Sequence, residues 1–297
     1  MNNAAFLPEG VRMGQILTVM NMKGGVGKTT ISCHLAAMAT KFKIGNKGPF
    51  KVLLVDYDPQ FNASQTMIPV IDYRKLEDDN KTILSILMDH PSKVDPFEIY
   101  AHDFNKPPKV GGLAFRTSFG PGKLDIVVST LDLMYVALGQ PSRSLTPMKE
   151  RFSDFMRQAK AIYDLVIIDC HPAGSVFTQT SLQTSDHVLI PVKPELYALR
   201  GITLMKRFID GRGPQKSAIT PHIVFNQTKG VSDIERQIRG HATFGPMCLR
   251  ETINESSHLQ KPNGGANFMW DRRTSKWRIC QNNLAAVFGE LYGRVGL

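Results

Sequence analysis

Residues 20 to 31 read MNMKGGVGKTTI, and from Lys23 to Thr30 they concentrate groups able to grip a phosphate. Gly24, Gly25 and Gly27 let the backbone curl until successive N–H groups, that of Val26 among them, converge on phosphate oxygens. Lys28 is spaced to reach the terminal phosphates, the Thr29 hydroxyl to ligate Mg²⁺, and Thr30 falls in the first helical turn, where free amides add positive potential. A second set of residues is acidic. LLVDYDPQFNAS carries Asp56 at the end of an apolar run and Asp58 two residues later, and DLVIIDCHPA ends a further run on Asp169. Four apolar residues followed by an aspartate is the Walker B arrangement, in which the carboxylate holds Mg²⁺ through water. A glycine turn or a strand-end cap explains any one of these features alone, but not the three together. The loop still departs from G-x-x-x-x-G-K-[ST]: Met22 stands where the first glycine belongs, and Lys23 is an additional cation.

The elements needed to position these groups are legible as alternating patterns. ILTVMN (16–21), KVLLVD (51–56), DLVIID (164–169), HVLIPV (187–192) and HIVFNQ (222–227) are short, β-branched, continuous apolar runs, as expected of parallel strands covered on both faces. Helical patterns lie between them at about 28–40, 145–161, 175–184 and 197–210. This alternation predicts an α/β fold, a doubly wound, mostly parallel sheet with helices on both faces. LAFRTSFGPGKLDIVVS (113–129) predicts a hairpin or antiparallel addition around GPGK, and the segment 91–112 a surface connection or insertion. Ser232 and Glu235 have capping-box spacing, which starts a helix there. The expected organisation is an N-terminal extension over 1–15, then a single domain over 16–297. An insertion lies around 91–129, and the part from 200 to 297 is basic.

Composition narrows the function classes. The chain has 297 residues, 42% of them hydrophobic, enough to bury a sizeable core. No run is apolar and long enough to span a bilayer, and the N-terminus lacks the layout of a secretory signal. The four cysteines have no C-x-x-C spacing, which points to reduced thiols rather than a metal site, and to a cytoplasmic setting. Of the net charge of +10, the part from Arg200 onward holds 15 Lys and Arg against 7 Asp and Glu. Such an excess suits an anionic partner.

KGGVGKTT, VDYDPQ and YDLVIIDCHPA resemble the three signature segments of the ParA/MinD-type partition and positioning ATPases, with the ParA members nearest. The likeness continues through SDHVLIPVKPELYALRGI and the FNQ strand end. It implies a P-loop NTPase fold of the deviant Walker A class, with ATP and Mg²⁺ as cofactors. It also implies that Lys23 reaches across a homodimer to the phosphates bound by the other subunit. Asp58 would orient or polarise the attacking water, Asp56 and Asp169 would join Thr29 around Mg²⁺, Gln60 and Asn62 would sense the γ-phosphate, and Asn226 would read the adenine edge. Slow hydrolysis, stimulated by a partner protein, comes with the resemblance. The family motif has Pro-Gln-Gly-Asn where this chain has PQFN, so Phe61 replaces a glycine. If that position needs φ > 0, Phe61 is costly there, or else the switch backbone is altered.

The resemblance leaves the target of the switch open. Partition-type members bind DNA non-specifically as ATP dimers, at the nucleoid. Arg200, Lys206, Arg207, Arg236, Arg239, Arg272, Arg273, Lys276 and Arg278 are the candidate phosphate contacts here, with Trp270 and Trp277 able either to stack on bases or to pack in the core. A MinD-like membrane anchor would need a cationic face on the terminal helix, which offers only Arg294 beside Glu290. An ATP-gated protein adaptor without DNA binding is the third reading.

Overall fold

β-Branched and leucine-rich runs with no polar interruption can be buried only where both faces of a sheet are covered, and that is how the chain uses them. A computed structural model describes residues 13–89, 106–117, 120–138, 145–171, 175–212, 219–259, 262–266, 268–271 and 276–297. In chain order the first elements are β1 (Gln15–Val19), α1 (Lys28–Lys41), β2 (Lys51–Tyr57), α2 (Asn62–Met67), α3 (Val70–Asp78), α4 (Leu84–Leu87) and α5 (Val110–Leu113). Next come β3 (Phe115–Arg116), β4 (Lys123–Val127), α6 (Leu133–Leu138), α7 (Leu145–Ile162), β5 (Leu165–Cys170) and α8 (Val176–Thr184). The last are β6 (His187–Val192), α9 (Ala198–Arg212), β7 (Thr220–Thr228), α10 (Asp233–Gly240), β8 (Ile253–Asn254) and α11 (Trp277–Arg294). The five apolar runs became β1, β2, β5, β6 and β7, with ends shifted by two residues at most.

The sheet has eight strands in the order β3-β4-β2-β5-β1-β6-β7-β8. All neighbours are parallel except β3 and β4, where Phe115 faces Ile126 and Arg116 faces Asp125. Alternate strand residues enter two separate cores. Leu53 and Val55 share one core with Phe152 and Phe155 of α7, Phe177 of α8 and Met205 of α9. Val52 and Leu54 share the other with Leu35 and Met38 of α1 and Phe288 and Leu291 of α11. Each such side chain contributes about 1.5–3 kcal/mol on burial, which makes these two layers the main fixative of the strand ends that carry the aspartates. Ser232 caps the start of α10, where the spacing predicts a helix, its hydroxyl accepting from the Glu235 amide at 3.1 Å. The Glu235 carboxylate turns to Arg239 rather than completing the box. The extension over residues 1–12, most of the 91–112 connection, and Arg272 and Arg273 lie outside the described residues.

Trp270 belongs to the core side of the earlier alternative: it stacks on Phe268 with centroids 4.9 Å apart and meets Phe42 edge-on at 5.4 Å. His34 of α1 lies against the same cluster, 5.4 Å from Phe268, with Nδ1 donating to the Thr30 carbonyl at 2.8 Å. Burial pushes its imidazole down to about 4, against the smaller upward pull of that hydrogen bond. The folded pKa is therefore below the unfolded one, so the unfolded chain binds the extra proton. The associated stability is present above the unfolded pKa and is lost as pH falls from about 6.5 towards about 4. In His34→Met, the drop in unfolding free energy between about pH 7 and about pH 4.5 should shrink by roughly 2 kcal/mol in urea titrations. An unchanged drop would place the acid sensitivity elsewhere.

Candidate functional site

β1 lies at the middle of the sheet, and the loop that follows it opens at the carboxyl ends of the strands, where open α/β sheets bind ligands. Asn21 anchors the start of the loop: its Nδ2 donates to the Pro191 carbonyl at 2.6 Å, and its Oδ1 accepts from the Lys23 amide at 3.1 Å. Gly27 has φ 88 and ψ 21, the left-handed region, and a Cβ there would come within 2.4 Å of Asn226 Nδ2. Glycine is therefore required at 27 by conformation and by space together. α1 then starts at Lys28 with no side-chain cap and no acidic residue in its first turn. Its first amides are left for an anion.

The carboxylates are in register. Asp56 pairs with Asp169 across β2 and β5, and both are buried. Ser32 donates to Asp169 Oδ1 at 2.9 Å, while Oδ2 has no hydrogen-bond partner among the described residues. Burial raises the Asp169 carboxyl to about 6, despite the neighbouring Thr29 and Ser32 hydroxyls. Burial first, and the Asp169 charge next, push Asp56 up to about 8. Two adjacent buried carboxylates with pKa values raised in this way are a pair that a bound cation would relieve. Asp56 also has a structural duty that the sequence did not announce. Its Oδ2 accepts from both the amide and the hydroxyl of Ser64, each at 2.7 Å, tying β2 to α2.

Asp58, Gln60, Phe61 and Asn62 form the turn between β2 and α2. The Gln60 amide donates to Asp58 Oδ1 at 2.9 Å, the Phe61 amide to the Asp58 carbonyl at 2.8 Å, and Asn62 Nδ2 to Gln60 Oε1 at 3.2 Å. Phe61 has φ 41 and ψ 34. The glycine-like backbone is thus kept, and the side chain is accommodated in spite of it. The left-handed conformation costs an L residue roughly 1–2 kcal/mol. The Phe61 ring stacks on Tyr73 at 5.3 Å with 12° between planes, and such pairs contribute about 0.5–1.5 kcal/mol beyond burial, an offset of the same size.

Beside Gly27 and Thr30 lies a cleft of about 290 Å³. Its lining mixes apolar side chains (Ile31, Ile253, Leu259, Phe288) with polar ones, among them Asn226, Asn254 and Glu255. Asn226 Nδ2 donates to the Val26 carbonyl at 2.8 Å, so in this structure it braces the loop. Gln227 at φ 56 also reaches the loop, with Nε2 3.4 Å from the Gly25 carbonyl. Lys23 points the other way. Its side chain is 57% exposed and pairs with Glu195, which Lys193 also contacts at 2.7 Å. Those two lysines, Lys193 first, hold the Glu195 carboxyl down at about 2. Ser32, Ser64, Gln227 and Glu195 are site residues that sequence reasoning did not single out. Their partners lie on other elements, and no motif marks them.

The basic candidates do not form one patch. α9 and α10 pack into the core on one face of the sheet, α11 into the core on the other. Arg200 and Arg207 are exposed on α9, whereas Lys276 and Arg278 are exposed at the start of α11. Lys206 is paired with Asp210 and Arg236 with Asp233. Arg239 is the clearest departure from expectation. Its guanidinium donates to Glu235 at 2.8 Å and to the Leu249 and Arg250 carbonyls at 2.7 and 3.2 Å, a structural commitment that a phosphate would have to break.

A family model described as AAA domain matches residues 14–215. The sporulation initiation inhibitor protein Soj of Bacillus subtilis is 32% identical over 194 residues, a match covering 64% of this chain and 63% of Soj. The chain thus spans less than two thirds of that relative's length. A plasmid partition protein of Borrelia burgdorferi, solved bound to AMPPNP, superposes with a TM-score of 0.64 at 20% identity, covering 93% of this chain and 99% of that one. Cobyrinic acid a,c-diamide synthase of Mycobacterium smegmatis, solved with ADP and magnesium, gives 0.61 at 20% identity, covering 96% and 97%. At these identities the structural likeness carries the fold, not the activity.

Proposed function

Because the chain belongs to the AAA-domain family of ParA-type ATPases, we propose that it is a Mg²⁺-dependent ATPase whose ATP form is a homodimer with affinity for non-specific DNA. Hydrolysis releases it, in the service of plasmid or chromosome partition or of cargo positioning. The observation that carries the reading is the direction of Lys23. Its side chain is 57% exposed and leaves the loop for Glu195, which is followed in the chain by Leu196 and Tyr197, 73% and 68% exposed. A cation and an apolar pair turned outward next to a triphosphate site suit a surface that a second copy covers.

Within one copy, the loop amides and Lys28 bind the phosphates, and the cleft beside Gly27 takes the base, with Asn226 in its lining. Thr29, Asp56 and Asp169 would hold Mg²⁺, which when bound offsets charge on the β- and γ-phosphates. The orphaned Asp169 Oδ2 and the raised pKa values of the aspartate pair support that fit. Asp58 orients the attacking water, and Gln60 and Asn62 respond to the γ-phosphate. The membrane alternative loses support from α11: Leu284, Val287, Phe288 and Leu291 of its apolar face are buried in the core. Among the described residues, no helix is long and apolar enough to cross a membrane.

Retention on non-specific double-stranded DNA tests the target of the switch. With Mg²⁺, binding is expected with ATP but not with ADP or without nucleotide. It should weaken by on the order of 10³-fold between about 50 and 200 mM salt if about six phosphates are contacted. No retention in any state would overturn the DNA reading and favour a protein partner, an outcome consistent with the neutralised Lys206, Arg236 and Arg239.

A further inference from the structure

We propose that Tyr73 is a positioning residue for hydrolysis, holding the left-handed Phe61 and, through it, the Asp58–Phe61 turn in its closed form. The inference rests on the reading of this site as an ATPase centre and concerns the contact of Phe61, at the motif's glycine position, with Tyr73 of α3. The turn is closed by the Phe61 amide on the Asp58 carbonyl, so the backbone that sets the Asp58 carboxylate depends on Phe61 keeping φ 41. A residue with a Cβ leaves that region readily unless something holds it. Here the holder is the stacked Tyr73 ring.

Tyr73 is itself fixed. It is 7% exposed, and its hydroxyl lies 3.0 Å from Glu77 Oε1 and 3.1 Å from the Ser129 carbonyl. Thr130 donates to the same Glu77 oxygen at 2.9 Å. The Ser129 amide in turn donates to Ser64 Oγ at 2.9 Å, and that hydroxyl donates to Asp56. A closed circuit results. Asp58 is fixed by way of Phe61 and Tyr73, Asp56 by way of Ser64, and both branches end on Ser129 just beyond β4. The two carboxylates are therefore referred to one rigid point.

The test measures steady-state ATPase with Mg²⁺, binding of a fluorescent ATP analogue, and amide exchange at Phe61. Tyr73→Ala should lower kcat about tenfold or more while KM and analogue binding stay within about twofold, because the phosphate loop is untouched. Tyr73→Phe keeps the ring and should keep most of the rate. Phe61→Gly placed in the Tyr73→Ala background should restore turnover, since glycine holds φ > 0 unaided. A core defect would not be rescued in this way. If Tyr73→Ala does not fold, the single variants decide: Phe61→Ala, strained and unbraced, should be slower than Phe61→Gly. Wild-type kcat in Tyr73→Ala, absence of rescue, or equal rates for Phe61→Ala and Phe61→Gly would overturn the proposal. No turnover in the unsubstituted protein would instead overturn the ATPase reading. In that event, faster exchange of the Phe61 amide in Tyr73→Ala would still support the brace, and unchanged exchange would refute it.

Discussion

Asp58→Ala is expected to bind ATP normally and to hydrolyse it roughly 10²–10⁴-fold more slowly, the range for loss of a group that handles a proton or aligns a nucleophile. The protein should accumulate as an ATP-bound dimer. Single-turnover phosphate release and sizing in ATP would measure the two effects. The expectation follows from position. Asp58 is only 7% exposed, and its charge is felt by both Asp56 and Asp169, so it sits with the pair at the strand ends while belonging to the turn before α2 rather than to the sheet. Asp58→Asn separates the carboxylate's two duties. Asparagine can still accept from the Gln60 amide, as Asp58 does at 2.9 Å, but it carries no charge. A slow Asn variant would locate the effect in the charge, and a fast one in the turn. Ordinary hydrolysis by Asp58→Ala would remove Asp58 from the reaction.

How far the sequence reaches depends on the range of the interaction that decides each feature. The phosphate loop and the aspartates at 56, 58 and 169 are local: a strand, a tight turn and a helix start lie within a dozen residues, and each leaves a mark in residue type. The doubly wound sheet is legible for the same reason, since a run such as KVLLVD is buried on both faces whatever its neighbours are. Other features depend on distant partners. Phe61 reads as a conflict with a glycine position, and only Tyr73 on α3 shows how the conflict is met. Asp56 reads as a strand-end carboxylate, while its strongest bonds go to Ser64 on the following helix. The basic C-terminal part reads as one charged region, because a sum of charges does not record that α9 and α11 pack on opposite faces of the sheet. Arg239 illustrates the same limit in a single residue, a cation in the sequence and an internal tie in the fold.

Lys23→Ala should leave ATP binding within a few-fold of normal and weaken ATP-dependent dimerisation on the order of 10²-fold or more, the scale for truncating one side of a desolvated charge contact. Two triphosphates facing each other across a dimer repel strongly once water is excluded, and a cation donated by each copy to the other offsets that repulsion only while the γ-phosphate is present. The geometry supports a division of labour between the two lysines. Lys28 Nζ turns back over the loop, 3.4 Å from the Lys23 carbonyl, while Lys23 Nζ leaves the loop for Glu195. To act on a second copy, Lys23 must give up that carboxylate. An exposed pair is worth little, and Glu195 keeps Lys193 after the exchange. Glu195→Gln removes the competing charge, so its ATP dimer should form at lower protein concentration than the unsubstituted one. Equilibrium sedimentation in ATP, alongside nucleotide binding at fixed Mg²⁺, reads all three proteins. A Lys23→Ala dimer of normal strength would overturn the trans role. A Lys23→Ala protein that no longer binds ATP would show that this lysine serves its own loop, and that a single copy needs both cations to hold one nucleotide.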